Sequence, residues 1–165
     1  MQKRADEKVI KSPVVSEGFK KFMEAIKMPF PDISKILRCH LIVEYFLDQI
    51  IIATHRRGDI ISTNSRFTFS YKLTVVQSID FVDNNILISI KHLNEVRNKC
   101  SHKMDYKISK EDADLIGRPF GTKYTKIKSN SKSTSALITD ILMMLIAMLE
   151  GNYIAILDAQ KKDNN

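Results

Sequence analysis

Apolar residues recur at helical spacing through most of the chain, and turn-forming residues break the pattern at intervals. Phe19, Phe22, Met23 and Ile26 share one face of a helix predicted over 16–27, opened by Ser16 and ended by Pro29 and Pro31. Asp32 is then placed to cap a longer helix reaching residue 55, with Gly58 and Asp59 at its exit. Residues 66–76 read two ways. Phe67, Phe69, Tyr71 and Leu73 alternate as a strand would, whereas Phe69, Leu73, Val76 and Asp80 keep helical spacing. Helix is favoured, because a strand needs partners and only a weak alternation over 124–128 offers one. A further helix over 85–101 is capped by Asp83 or Asn84, and Ser109 with Asp112 forms an N-terminal box for a short helix ending near Gly117. Residues 133–135 open a final helix whose Leu137, Ile138, Ile141, Leu142, Leu145 and Leu149 make a broad core face, with Met143, Met144 and Met148 as packing material. Gly151 is a candidate kink before Tyr153, Ile154 and Leu157 continue that helix. The expectation is an all-α bundle of about five helices: a basic arm over 1–15, one domain over 16–160 and a frayed tail over 161–165.

Composition narrows the class. At 165 residues, 44% hydrophobic and 27% charged, the chain suits one domain with its own core and needs neither disulfides nor disorder to explain it. Its net charge of +7 favours a polyanionic partner, with RNA, DNA and acidic membrane all allowed. Arg118, Lys123, Lys126, Lys128 and Lys132 lie in a stretch without an acid, which is either a solvated loop or a contact surface for nucleic acid. Cys39 and Cys100 are too few for a secreted framework and suit a reducing compartment. Residues 1–11 are polar and the most apolar run, 141–149, is well short of the ~18 residues of a membrane span, so a cytoplasmic protein without membrane contact is expected. No Gly-rich phosphate loop, serine-nucleophile elbow or paired-carboxylate signature is present.

Two predicted helices carry charges where apolar residues belong. Over 85–101, Ile86, Ile90, Leu93 and Cys100 form one stripe with Arg97 within it. A guanidinium stays charged and requires an anion or a wet crevice. Over 32–55, Ile33, Leu37, Leu47 and Ile51 share a face with Glu44 at its centre, His40 one turn before and Asp48 one turn after. Packing of the two helices with Glu44 near Arg97 is therefore expected, either as a structural ion pair that sets register or as part of a site. Asn98 and His102, four residues apart, occupy one column beside Arg97.

Residues 93–102, Leu-Asn-Glu-Val-Arg-Asn-Lys-Cys-Ser-His, resemble the R-x4-6-H signature of the HEPN superfamily (higher eukaryotes and prokaryotes nucleotide-binding domain), with a polar residue after the arginine and a small one before the histidine. His40 to Leu47 is similar to the acid-bearing helix of that superfamily, and Phe69 with Lys72 to the intervening helix of its mannitol-operon-repressor-like branch. The resemblance covers roughly residues 33–117. It implies an antiparallel helical bundle that forms a homodimer, and for many members a metal-independent endoribonuclease of toxin–antitoxin or phage-defence type. Cys100 and Ser101 replace the apolar residue and alanine often found before the histidine.

RNA carries its own nucleophile, so cleavage needs proton transfer and positive charge at the phosphate. Histidine is the side-chain type suited to proton transfer at neutral pH, so His102 is expected to move the proton, while Arg97 binds the phosphate and Asn98 orients His102 or touches the phosphate. Glu44, Asp48 and His40 support the set. Lys72, Lys99, Lys103, Arg118, Lys123, Lys126 and Lys128 are candidate contacts to nucleic acid. No cofactor is expected; a zinc site from Cys39, His40, Cys100 and His102 lacks the usual ligand spacing. The alternative is a dimeric binding or regulatory module contacting RNA or a protein such as an antitoxin. No convincing helix-turn-helix is present, which disfavours sequence-specific DNA reading.

Overall fold

The computed structural model describes Pro31 to Asp163 apart from Met104, together with Lys20 and Glu24; the arm over 1–15, and all of the helix expected over 16–27 but those two residues, lie outside the described residues. Among the described residues the fold is all-α: α1 (Asp32–Thr54), α2 (Gly58–Thr63), α3 (Phe69–Gln77), α4 (Asn84–His102), α5 (Lys110–Gly117), α6 (Thr122–Asn130) and α7 (Thr134–Asp163), with a single 3₁₀ turn at Arg118–Phe120.

The two longest helices, α1 and α7, form the spine. Asp32 meets Ser135, Phe46 meets Tyr153 and Ala53 meets Gln160, so the pair runs parallel rather than antiparallel. The helix α4 runs the other way: Asn94 reaches His40, while Asp83 at its start reaches Asn152 of α7. One continuous core joins Ile36, Val43, Ile50 and Ile51 of α1 to Ile86, Ile90 and Leu93 of α4 and to Ile141, Leu145 and Leu149 of α7. By length and composition α7 would suffice to cross a bilayer over Thr134–Lys162, but that core face of it is packed inside the bundle.

Local chemistry explains most boundaries. Asp83 caps α4 by accepting the Asn85 N–H at 2.7 Å, and Ser109 with Asp112 forms a complete capping box on α5. At α1, the N-cap position belongs to Pro31; Asp32 lies inside the first turn, where it binds Lys35 and Ser135 instead of capping. The ambiguous 66–76 segment is helical because Phe69, Leu73 and Val76, at i, i+4 and i+7, are all buried against neighbouring helices.

Several expectations are corrected. Gly58 does not end α1 but starts α2, seated so closely on Ile51 that a Cβ would run into that residue's carbonyl. The basic stretch, for which a solvated loop is one of two readings, contains α6, and the alternation over 124–128 is part of that helix. Gly151 interrupts nothing; α7 is helical through it. The described residues hold seven helices, two of which, α2 and α6, are too short to announce themselves by periodicity.

Candidate functional site

A cavity of about 310 Å³ opens between α1, the start of α3 and the last turns of α4, lined by His40, Glu44, Thr68, Phe69, Ser70, Asn94, Arg97 and Asn98. Arg97 reaches it because the apolar stripe of α4 leaves the core after Leu93: Val96 turns inward and is buried, while Arg97 is half-buried at the cavity wall. Its Nη1 donates to Asn98 Oδ1 at 3.2 Å.

His40 is only 5% exposed. Its ring stacks on Phe69 with centroids 4.0 Å apart, and Nε2 faces Asn94 Oδ1 at 3.0 Å. With a carbonyl oxygen as partner, the proton belongs on Nε2 and the Nδ1 lone pair is left free. Burial depresses the His40 pKa below the usual histidine value, and the Arg97 charge acts in the same direction; the Asn94 hydrogen bond and Glu44 oppose them without prevailing. The imidazole is therefore neutral at neutral pH.

Glu44 lines the same cavity, but Arg97 is not its ion-pair partner. The core face of α1 centres on Val43, Leu47 and Ile50, and Glu44 lies roughly 100° round the helix from it, at the edge facing α3. There Lys72 Nζ binds Glu44 Oε1 at 3.0 Å and Asp48 Oδ2 at 2.9 Å. Among the described residues no ion pair joins Glu44 to Arg97. Burial of Lys72 lowers its pKa, but the hydrogen bonds and charges of Asp48 and Glu44 outweigh that and hold it above the ordinary lysine value. Lys72 is 7% exposed and fully engaged, so it is withdrawn as a nucleic-acid contact. Asp48 Oδ1 is buried without a hydrogen-bond partner.

His102 is the last residue of α4, exposed, and not among the residues lining the cavity. Five residues of helix place it about 7.5 Å along the axis from Arg97 and 140° around it. The column from Asn98 does persist, so His102 lies one turn beyond the cavity rim. The histidine in the wall is His40, expected only as support. Asn94 and the hydroxyl residues Thr68 and Ser70 were not anticipated, although Asn94, Arg97 and Asn98 at i, i+3 and i+4 are a readable polar column.

The remaining basic candidates separate by their partners. Lys99 binds Asp112 at 2.9 Å, and Lys128 binds Asp114 at 2.8 Å. Burial pushes the Asp112 carboxyl up, but Tyr106, the Ser109 N–H and Lys99 more than compensate and hold it below the usual range; Lys128 and Tyr124 do the same for Asp114. These are structural locks. Arg118 makes a loose pair with Asp114 at 3.6 Å, and Lys103 lies 5.9 Å from the Tyr106 ring centre. Lys103, Arg118, Lys123 and Lys126 are exposed. Cys39 is fully buried, and among the described residues no three of His, Cys, Asp and Glu are grouped to hold a metal ion, so the zinc alternative has no geometry behind it.

Comparison with known proteins returns no matching family model, no matching curated protein and no matching solved structure.

Proposed function

We propose that the cavity at Arg97 takes a phosphodiester of RNA and that the protein is a metal-independent endoribonuclease of the HEPN type. The observation that carries this reading is a half-buried guanidinium facing solvent in a cavity that also holds a neutral imidazole and two amides. Arg97 supplies charge to the non-bridging oxygens as negative charge grows on them. The free Nδ1 of His40 suits removal of the 2′-hydroxyl proton as that oxygen attacks phosphorus. To His102, exposed one turn past Asn98 and outside the cavity wall, we assign the proton taken up by the departing 5′-oxygen. The products are a 2′,3′-cyclic phosphate and a free 5′-hydroxyl, and DNA is spared for lack of the attacking group. Lys72 offsets one of the two negative charges of Glu44 and Asp48, which reduces the repulsion that the acid in the cavity wall exerts on a phosphate. The reading includes a cytoplasmic location and a homodimer, and the exposed Leu37, Leu41 and Tyr45 on α1 support the second of these as apolar surface open to another copy.

The test is incubation of purified protein with single-stranded RNA in EDTA, beside Arg97→Ala, His40→Asn and His102→Ala. Cleavage to cyclic-phosphate ends by the parent protein, reduced about 10²–10⁴-fold in the histidine variants, is the expected result. Undiminished cleavage by Arg97→Ala overturns the site. RNA that binds but stays intact with the parent protein overturns the enzyme and leaves a binding module.

A further inference from the structure

A separate cavity of about 230 Å³ lies where the end of α6, the turn into α7 and the first residue of α5 meet. Lys110, Lys128 and Lys132 line it with Ser131, Ser133 and Thr134, over the buried Leu137, and no carboxylate is in its wall. These lysines come from segments up to 22 residues apart in sequence, so their convergence belongs to the fold. Lys128 is anchored from behind by Asp114, which is itself shared with Tyr124 and Arg118. Lys110 and Lys132 are exposed and enter no ion pair among the described residues. Ser133 Oγ accepts the Ala136 N–H at 3.1 Å, which leaves its own proton available to an outside acceptor.

The Ser131 hydroxyl is spent on the Ile127 carbonyl; two ammonium groups without an ion pair, a third shared with Asp114 and the Ser133 hydroxyl around one concavity suit a ligand with several negative oxygens arranged in three dimensions. A phosphate meets that need better than a planar carboxylate, for which lysines provide no fork. We propose that this cavity is a second subsite, distinct from the one at Arg97, that takes a backbone phosphate of single-stranded RNA. The choice of RNA rests on the proposed function; the phosphate site itself does not depend on cleavage. The part of the basic stretch that matters is then Lys128 and Lys132 with Lys110, not the outward Lys123 and Lys126.

The test measures binding of a fluorescent single-stranded RNA by anisotropy across salt concentrations, with the full chain and two double variants of equal charge change. Lys110→Gln/Lys132→Gln is expected to weaken binding about tenfold near 0.1 M salt and to flatten the salt slope by about 1.4, roughly 0.7 per lysine removed. Lys123→Gln/Lys126→Gln is expected to change affinity less than about twofold by the same reasoning. Equal weakening by both pairs, or none by the first, overturns the subsite while leaving the Arg97 cavity untouched. The second probe is inorganic phosphate, followed by phosphorus NMR. Saturable binding lost in the first pair, with no RNA binding by the parent protein, keeps the phosphate site and removes RNA as its ligand. Binding of neither probe removes the subsite.

Discussion

Replacing Lys72 by methionine tests how the charge beside the candidate site is held. Methionine keeps most of the side-chain volume, so the packing of α3 on α1 should survive and the change is chiefly electrostatic. The lysine is 7% exposed and is the cation for both Glu44 and Asp48, whose side chains are 32% and 21% exposed. Breaking a buried pair by removing one partner costs about 3–5 kcal/mol, because the other charge is left without compensation. Water reaches both carboxylates here and recovers part of that, so about 2–3 kcal/mol is expected. For a domain of this size that corresponds to a fall of roughly 4–12 °C in Tm. Urea denaturation followed by circular dichroism should show a lower midpoint with an unchanged slope. Adding Glu44→Gln and Asp48→Asn to Lys72→Met should restore most of the loss, because the buried charges that needed the lysine are then gone. A single variant within about 0.5 kcal/mol of the parent, the scatter of ordinary surface changes, would refute the reasoning. So would a triple variant no more stable than the single one.

Two further outcomes follow from the geometry. Gly117→Ala should destabilise by about 1–3 kcal/mol, since a Cβ there runs into the buried ring of Tyr124, whose hydroxyl is tied to Asp114; a calorimetric Tm equal to the parent's would contradict this. His40 has a folded-state pKa below its unfolded value, so the unfolded chain binds the proton first as pH falls. Its contribution is complete above about pH 6.5 and declines as pH drops from there towards the folded-state pKa. The stability gap between parent and His40→Asn, read from urea midpoints at pH 7, 6 and 5, should therefore narrow toward acid; a gap that stays constant or widens would count against a buried neutral imidazole. Asp112 and Asp114 are held below the usual carboxylate range, so their own losses fall at lower pH and do not confuse the comparison.

The helical class, the caps of α4 and α5, and the apolar faces of α4 and α7 were legible in the sequence, because each depends on residues within a few positions of one another. Arg97 and Asn98 could be singled out for the same reason: a charge within an apolar stripe is visible on one helix alone. Which side chain meets which was not legible. Glu44 lies only one position from Val43, and the angular shift of the α1 core face that turns it from Arg97 to Lys72 comes from the simultaneous packing of α3, α4 and α7 on α1. His40 became the histidine of the cavity, and His102 an exposed helix end, because α4 leaves the core one turn before it finishes. The sequence by itself determined the inventory of helices and polar groups through short-range spacing. The tertiary structure alone decided their pairing, because burial is a property of several helices at once and a rotation of one residue exchanges a core position for a surface one.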